Sequence, residues 1–199
     1  MTGILAAMPD RPSDPPSIPT ERLELVSMSL EFMKALEAGE SDEAARLMQA
    51  QLPDDMAEDL ANFLRYRIPE LERDPSIRPW LGRSMVWTHP DGRREVIGTI
   101  GFHAPPDGDG RVEIGYRVEP AWRRKGIATE CARALLAWAE SQGVHRFRAS
   151  VAPDNTASLA VIDSFGFRRV GEQMDEVDGL ELVFHLDRPA AGDRGAGAG

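Results

Sequence analysis

Three cationic residues and a glycine, Arg123-Arg124-Lys125-Gly126, stand directly ahead of an apolar-striped segment that begins at Ile127. A tight turn entering a helix leaves several backbone N–H groups unpaired and aimed at one spot, where the helix dipole adds positive potential. Phosphate suits such a turn, and the three side chains would add charge-assisted hydrogen bonds to a ligand carrying several phosphates. The plainer reading is a solvated basic loop. Charge patterning opposes it, because each cation at a helix N-terminus is disfavoured by about 0.3 to 1 kcal/mol unless an anion compensates. The chain has neither a Walker A loop nor a G-x-G-x-x-G turn, so P-loop nucleotide hydrolysis and Rossmann-type dinucleotide binding drop out.

Other residues have chemistry-bearing types in informative places. Glu113 lies mid-strand in "RVEIGYRV", on the face opposite Val112, Ile114 and Tyr116, and a carboxylate inside a covered sheet requires a partner or a task. Pairing with Arg111 or Arg117 and service as a base remain alternatives. Asn155, beside Asp154, opens a short helix, where the default role of either is an N-cap, and Ser158 follows on the same helix face. Tyr116 reads as a core or cleft-wall aromatic. Cys131, the chain's single cysteine, falls on a buried helix stripe with no adjacent base to activate it. His89, His103, His145 and His185 are too dispersed to read as a metal site, and none is expected.

The elements that must position these groups follow from periodicity and turn chemistry. "RLELVS" alternates like a strand, and "SLEFMKALEAGE" is a helix ended by Gly39. The stretch from Ser41 to Ser76 is expected to be helical in two pieces, broken at Pro53, with Asp54 or Asp55 capping the second and Pro75 beyond its end. "RSMVWT" and "REVIGTIGF" flank a turn at Asp91-Gly92, and "RVEIGYRV" makes a third strand stopped by Pro120. The helix from Ile127 places Cys131, Leu135 and Trp138 on one stripe before Gly143 ends it. "RFRASV" is a strand, "DNTASLAVIDSF" a capped helix, and "FRRVGEQMDEV" with "LELVFHL" a closing hairpin joined at Asp178-Gly179. This order predicts an α+β fold, a mixed and mostly antiparallel central sheet with helices on both faces.

The chain has 199 residues and a formal net charge of −10, which suits one domain and disfavours wholesale binding to nucleic acid or anionic membrane. A lone cysteine forms no intramolecular disulfide, in keeping with a reducing cytoplasm. No run approaches the roughly 18 apolar residues of a membrane span, and the start lacks the pattern of a signal peptide. Proline-rich residues 1–19 and glycine-rich residues 189–199 are expected to be disordered tails around a domain at 20–188.

"RRKGIA", Arg123 to Ala128, is similar to the R/Q-x-x-G-x-G/A signature of the GCN5-related N-acetyltransferase (GNAT) superfamily. "VEIGYRVEPAWRRKGIATE" resembles that family's fourth strand running into its pyrophosphate loop and third helix. "SVAPDNTASLAVIDSFGFRRVGE" resembles its second half, so the likeness is continuous from Arg111 to Glu172. "TERLELVSMS" and the closing hairpin resemble the branch of ribosomal-protein N-terminal acetyltransferases.

The resemblance implies acetyl-CoA as cosubstrate, its pyrophosphate held by Arg123, Arg124, Lys125, Gly126, Ile127, Ala128 and Thr129. It implies that the Val118 N–H faces the thioester oxygen and that Asn155 hydrogen-bonds the pantetheine arm. Many members carry a tyrosine seven residues after this asparagine as the acid for the leaving thiolate; here that position is Ile162, and Ser158, or a water it orders, takes the role instead. Glu113 is the candidate base. Deprotonating a lysine-like amine at neutral pH costs about 4 to 5 kcal/mol against about 1 for an α-amine, so a modest base suffices for an N-terminal acceptor. The expected activity is acetyl transfer from acetyl-CoA to a protein N-terminal or small-molecule amine in a ternary complex, by a cytoplasmic monomer or homodimer without nucleic-acid or membrane partners. The alternative is a catalytically silent acyl-CoA sensor of the same fold.

Overall fold

Among the described residues the strands join into one eight-stranded sheet, and the helices between them cover both of its faces. The structure, a computed structural model, describes residues 14–175 and 179–189. In chain order the elements are β1 (Ile18–Pro19), β2 (Leu23–Ser27), α1 (Leu30–Glu37), α2 (Ser41–Met48), α3 (Met56–Asp59) and α4 (Ala61–Arg73). A 3-10 helix (Pro75–Trp80) leads to β3 (Arg83–Thr88), β4 (Arg94–Phe102), β5 (Arg111–Val118) and α5 (Ile127–Ser141). The chain continues with β6 (Arg146–Val151), α6 (Thr156–Ser164), β7 (Arg168–Asp175) and β8 (Gly179–Asp187).

The strand order is β1-β2-β3-β4-β5-β6-β8-β7, and among the described strands β5–β6 pair in parallel and the other neighbours antiparallel. A parallel pair needs a crossover, and α5 supplies it. The helix buries Ile127, Cys131, Leu135 and Leu136 against Leu25, Ile97, Ile100 and Phe102, and α6 adds Ile162 to this cluster. On the other face α1, α2 and α4 bury Phe32, Met33, Met48 and Leu64 against Val86 and Val96. The neighbours Val96 and Ile97 thus serve opposite cores, and the mixed sheet with helices on both faces stands as expected.

Two local readings differ from expectation. Ile18 and Pro19, assigned to a tail, form β1 because Ile18 pairs with Leu25 and is buried, while Arg83 Nη1 donates to the Pro16 carbonyl at 3.1 Å. The segment after Pro53 contains a second break at Leu60, which ends α3 and precedes α4, and Asp55 makes no side-chain cap. Pro75 lies beyond the end of α4 as expected and opens a 3-10 helix, with Asp74 accepting from the Ser76 N–H at 3.0 Å. Trp138 sits at the edge of the expected stripe, against Trp80 with ring centroids 4.9 Å apart. The Asp178-Gly179 turn lies partly outside the described residues, although Asp175 and Gly179 pair across it. No helix among the described residues is long and apolar enough to cross a membrane.

Candidate active site

β5 and β6 are paired only over Arg111–Glu113 and Arg146–Arg148. Beyond that point β5 follows β4 and β6 follows β8, so the middle of the sheet opens into a gap. The direction of the free backbone groups can be read from the ladder. His103 N–H donates to the Glu113 carbonyl at 2.9 Å and Glu119 N–H to the Ile97 carbonyl at 3.0 Å. Odd-numbered residues of β5 are therefore bonded to β4, and antiparallel alternation turns the N–H of Tyr116 and of Val118 toward the gap.

At the end of β5 the basic turn swings into α5. Gly126, with φ +76°, is the N-cap residue, and no side chain caps the helix. Its first N–H groups are open to a ligand. Arg124 is also left-handed, with φ +60°, a conformation that costs a non-glycine residue about 1–2 kcal/mol and is held where the backbone has a task. Arg123 Nε donates to the Val118 carbonyl at 2.8 Å, tying the turn back to the strand end.

The gap and the turn meet in one cavity of about 800 Å³. Its wall includes Val118, Arg123, Arg124, Gly126, Ile127, Ala128 and Thr129 from the β5–α5 side and Asn155 and Ser158 from α6. Tyr116 lines it as well, and its hydroxyl donates to the Ser158 carbonyl at 3.4 Å. Burial raises the Tyr116 hydroxyl above the ordinary phenol value, against the smaller opposing pull of that hydrogen bond. Asn155 Oδ1 accepts from the Ser158 N–H at 3.1 Å, so the asparagine is an N-cap as well as a wall residue. Ile162 is buried in the α5-side core and contributes nothing to the wall.

Two expected site residues lie elsewhere. Lys125 is absent from the wall because its Nζ lies 4.6 Å above the Trp122 ring. Glu113 sits on the opposite face of β5, where Ser150 Oγ donates to Oε1, and Arg148 Nε lies 3.4 Å from Oε2. His103 Nδ1 is 3.9 Å from the same oxygen. Gln173 Nε2 donates to Ser150 Oγ at 3.3 Å and to Glu181 Oε2 at 2.7 Å, extending the network to β8. The partner of Glu113 is thus Arg148, not Arg111 or Arg117. Arg111 pairs with Asp187 and Arg117 with Asp59.

Burial, with Glu130 adding to it, pushes the Cys131 thiol up to about 12, in keeping with a packed hydrophobe. Among the described residues the carboxylates of Asp55, Asp59 and Glu119 come within 4.8 Å of one another, and no histidine belongs to such a group.

Three residues escaped the sequence reading. Thr20 Oγ1 and the Arg22 N–H donate to Glu130 Oε1 at 2.6 and 2.7 Å, and Arg22 Nε donates to Glu130 Oε2 at 2.6 Å. Arg22 Nη2 reaches the Lys125 carbonyl at 3.0 Å, inside the basic turn. The one local signal was an acid, Glu130, in the first turn of α5, directly after the three cations of the basic loop.

A family model described as an acetyltransferase (GNAT) domain matches residues 22–168. The uncharacterized N-acetyltransferase YjdG of Bacillus subtilis (strain 168) is 38% identical over 74 residues, covering 37% of this chain and 44% of that protein. The chain spans less than half the length of the curated relatives it matches first. Among solved structures, a putative ribosomal-protein-serine acetyltransferase from Vibrio cholerae superposes with a TM-score of 0.60 at 16% identity, covering 88% of this chain and 99% of that one. RimL, a ribosomal-protein alpha-N-acetyltransferase in complex with coenzyme A, gives a TM-score of 0.60 at 20% identity, with 88% and 99% covered. These two likenesses show a shared fold.

Proposed function

Because the chain belongs to the acetyltransferase (GNAT) family, we propose that it moves an acetyl group from acetyl-CoA to an amine by direct attack within a ternary complex. The observation that carries this reading is the single cavity in which an uncapped helix N-terminus with two arginines adjoins the unpaired edge of β5 and the Asn155–Ser158 turn. Phosphate fits the first part, a hydrogen-bonding linear arm the second, and a polarised carbonyl the Val118 N–H.

The acceptor amine approaches from the face that bears Glu113, Arg148 and Ser150. Glu113, fixed by its two partners, takes the amine proton through water. As the amide forms, the carbon–sulfur bond breaks, and the electron pair stays on sulfur until a proton arrives. Ser158 and Tyr116 present hydroxyls on the cavity wall for this step. Of the two, the phenol has acidity nearer that of a thiol, whose ordinary value is about 8.5. The balance is one proton moved from nitrogen to sulfur.

Arginine and the helix N-terminus serve the cosubstrate without metal, and Lys125 adds to the field of the turn from its seat on Trp122. The net charge of −10 supports an acceptor that is a protein N-terminus or small cationic amine over nucleic acid. The protein is taken to work in the cytoplasm, in keeping with its single, buried cysteine, as a monomer or homodimer. The test is thiol release from acetyl-CoA across a panel of α-amino, lysine-like and small-molecule amines. Release with at least one amine class is expected. Tight CoA binding with no turnover on any amine would instead establish a silent acyl-CoA sensor.

A further inference from the structure

The N-terminal turn between β1 and β2 reaches across the fold to the basic loop, although Arg22 and Lys125 are 103 residues apart in sequence. The Arg22 guanidinium is held at two points, Nε on Glu130 Oε2 at 2.6 Å and Nη2 on the Lys125 carbonyl at 3.0 Å. Its Nη2 also stands 3.7 Å from where a Cβ on Gly126 would lie. Arg22 does not line the cavity.

The Lys125 carbonyl and the Gly126 N–H belong to one peptide group. In a planar trans peptide the two point in opposite directions. Fixing the carbonyl on Arg22 therefore fixes the Gly126 N–H away from Arg22, and Gly126 is a wall residue of the cavity. The second consequence is electrostatic. Glu130, in the first turn of α5, is a negative charge close to the place where phosphate would sit, and like charges repel strongly where solvent is partly excluded. Three donors occupy that carboxylate, from Thr20 Oγ1, the Arg22 N–H and Arg22 Nε, and one of them brings a full positive charge.

We propose that Arg22 is a positioning residue of the polyphosphate loop: it orients the Lys125–Gly126 peptide and cancels Glu130, setting affinity for the phosphate-bearing half of the acyl donor and leaving the transfer step alone. This rests on the acetyl-CoA reading given above.

The experiment compares two donors with the full chain, acetyl-CoA and S-acetylpantetheine, the latter lacking the pyrophosphate. Arg22→Ala should lower kcat/KM for acetyl-CoA about tenfold through the donor KM, the size expected for losing one charge-assisted hydrogen bond. Its kcat/KM with S-acetylpantetheine should stay within about twofold of the unaltered chain, which a general folding defect would not allow. Arg22→Lys, which can reach Glu130 but cannot bridge to the Lys125 carbonyl with the same fork, should recover part of the loss. Equal losses with both donors, or none with either, would overturn the assignment. Calorimetric titration with CoA and with pantetheine reads the same contrast without turnover. If the unaltered chain fails to bind CoA, the acetyl-CoA reading itself falls, whereas unaltered-chain binding that Arg22→Ala leaves unchanged removes only the role of Arg22.

Discussion

Glu113 and Arg148 face one another at the last rung where β5 and β6 are paired, with Oε2 3.4 Å from Nε, one step before the two strands part. The carboxylate is therefore anchored at the point of the gap by a cation and by the Ser150 hydroxyl. Glu113→Gln keeps the shape and an acceptor oxygen but removes the charge. Turnover should fall about 100-fold, the lower end of what a positioned base contributes. The fall should be steeper for lysine-like than for α-amino acceptors, because the former hold their proton more tightly. Calorimetry should find CoA affinity unchanged, since Glu113 is not on the cavity wall. Equal loss on both acceptor classes would remove the base role.

Tyr116 is the only tyrosine on the cavity wall, and its hydroxyl meets α6 at the Ser158 carbonyl. Tyr116→Phe should lower kcat about 10- to 100-fold with the donor KM little changed, and Ser158→Ala should cost less, because an alcohol is the weaker acid. The direction of the Tyr116 shift sets the pH behaviour. Burial raises the hydroxyl, so it stays protonated through the ordinary phenol value of about 10, and any alkaline decline owed to it should lie above that pH. A full loss with Ser158→Ala and none with Tyr116→Phe would assign the proton to serine.

Gly126→Val forces a β-branched side chain into φ +76°. A Cβ there has room, with Arg22 Nη2 its nearest neighbour at 3.7 Å, so the effect is backbone strain in the turn. CoA affinity measured by calorimetry should drop at least tenfold, while the thermal midpoint falls by only a few degrees. Unchanged affinity would mean that the turn does not hold phosphate.

Glu130 supplies a pH test. Burial raises its carboxyl, but donors from Thr20 and Arg22 together outweigh this and hold it below the usual range. A group with a depressed folded value contributes stability above its unfolded value, about 4.3, and loses that contribution as pH falls through the folded value. Glu130→Gln should therefore narrow the stability difference from the unaltered chain as pH is lowered below about 4, with the full difference present from pH 5 upward. Denaturant melts at stepped pH measure it, and a difference that grows on acidification would contradict the pairing.

Leu135 is fully buried where α5 meets the sheet. Leu135→Ala should cost about 2–5 kcal/mol in denaturant unfolding, since a packed site collapses only partly around the missing atoms. The loss should appear without any change in the ratio of activities on the two acyl donors.

Sequence alone determined what local chemistry can determine. Short strand-like runs and turn residues placed β3, β4, β5 and β6 at the bounds that the structure shows, because alternation in β5 and β6, apolar runs covered on both faces in β3 and β4, and Asp-Gly or proline stops all act over a few residues. The basic turn was legible for the same reason: cations ahead of a helix start are an imbalance visible within "RRKGIA", and the structure shows that helix without a side-chain cap. Local pattern failed where partners are distant. Two residues, Ile18 and Pro19, are too few to show a period, and only pairing with Leu25 and Glu24 makes them a strand.

Tertiary structure decided the rest. The register of β5 against β4 and the early end of its pairing with β6 turn the Val118 N–H toward the gap, and a backbone donor leaves no mark on residue type. Packing brought Tyr116 to Ser158 across 42 residues and Arg22 to Glu130 across 108. These contacts arise from chain topology, which residue order specifies only through the whole fold.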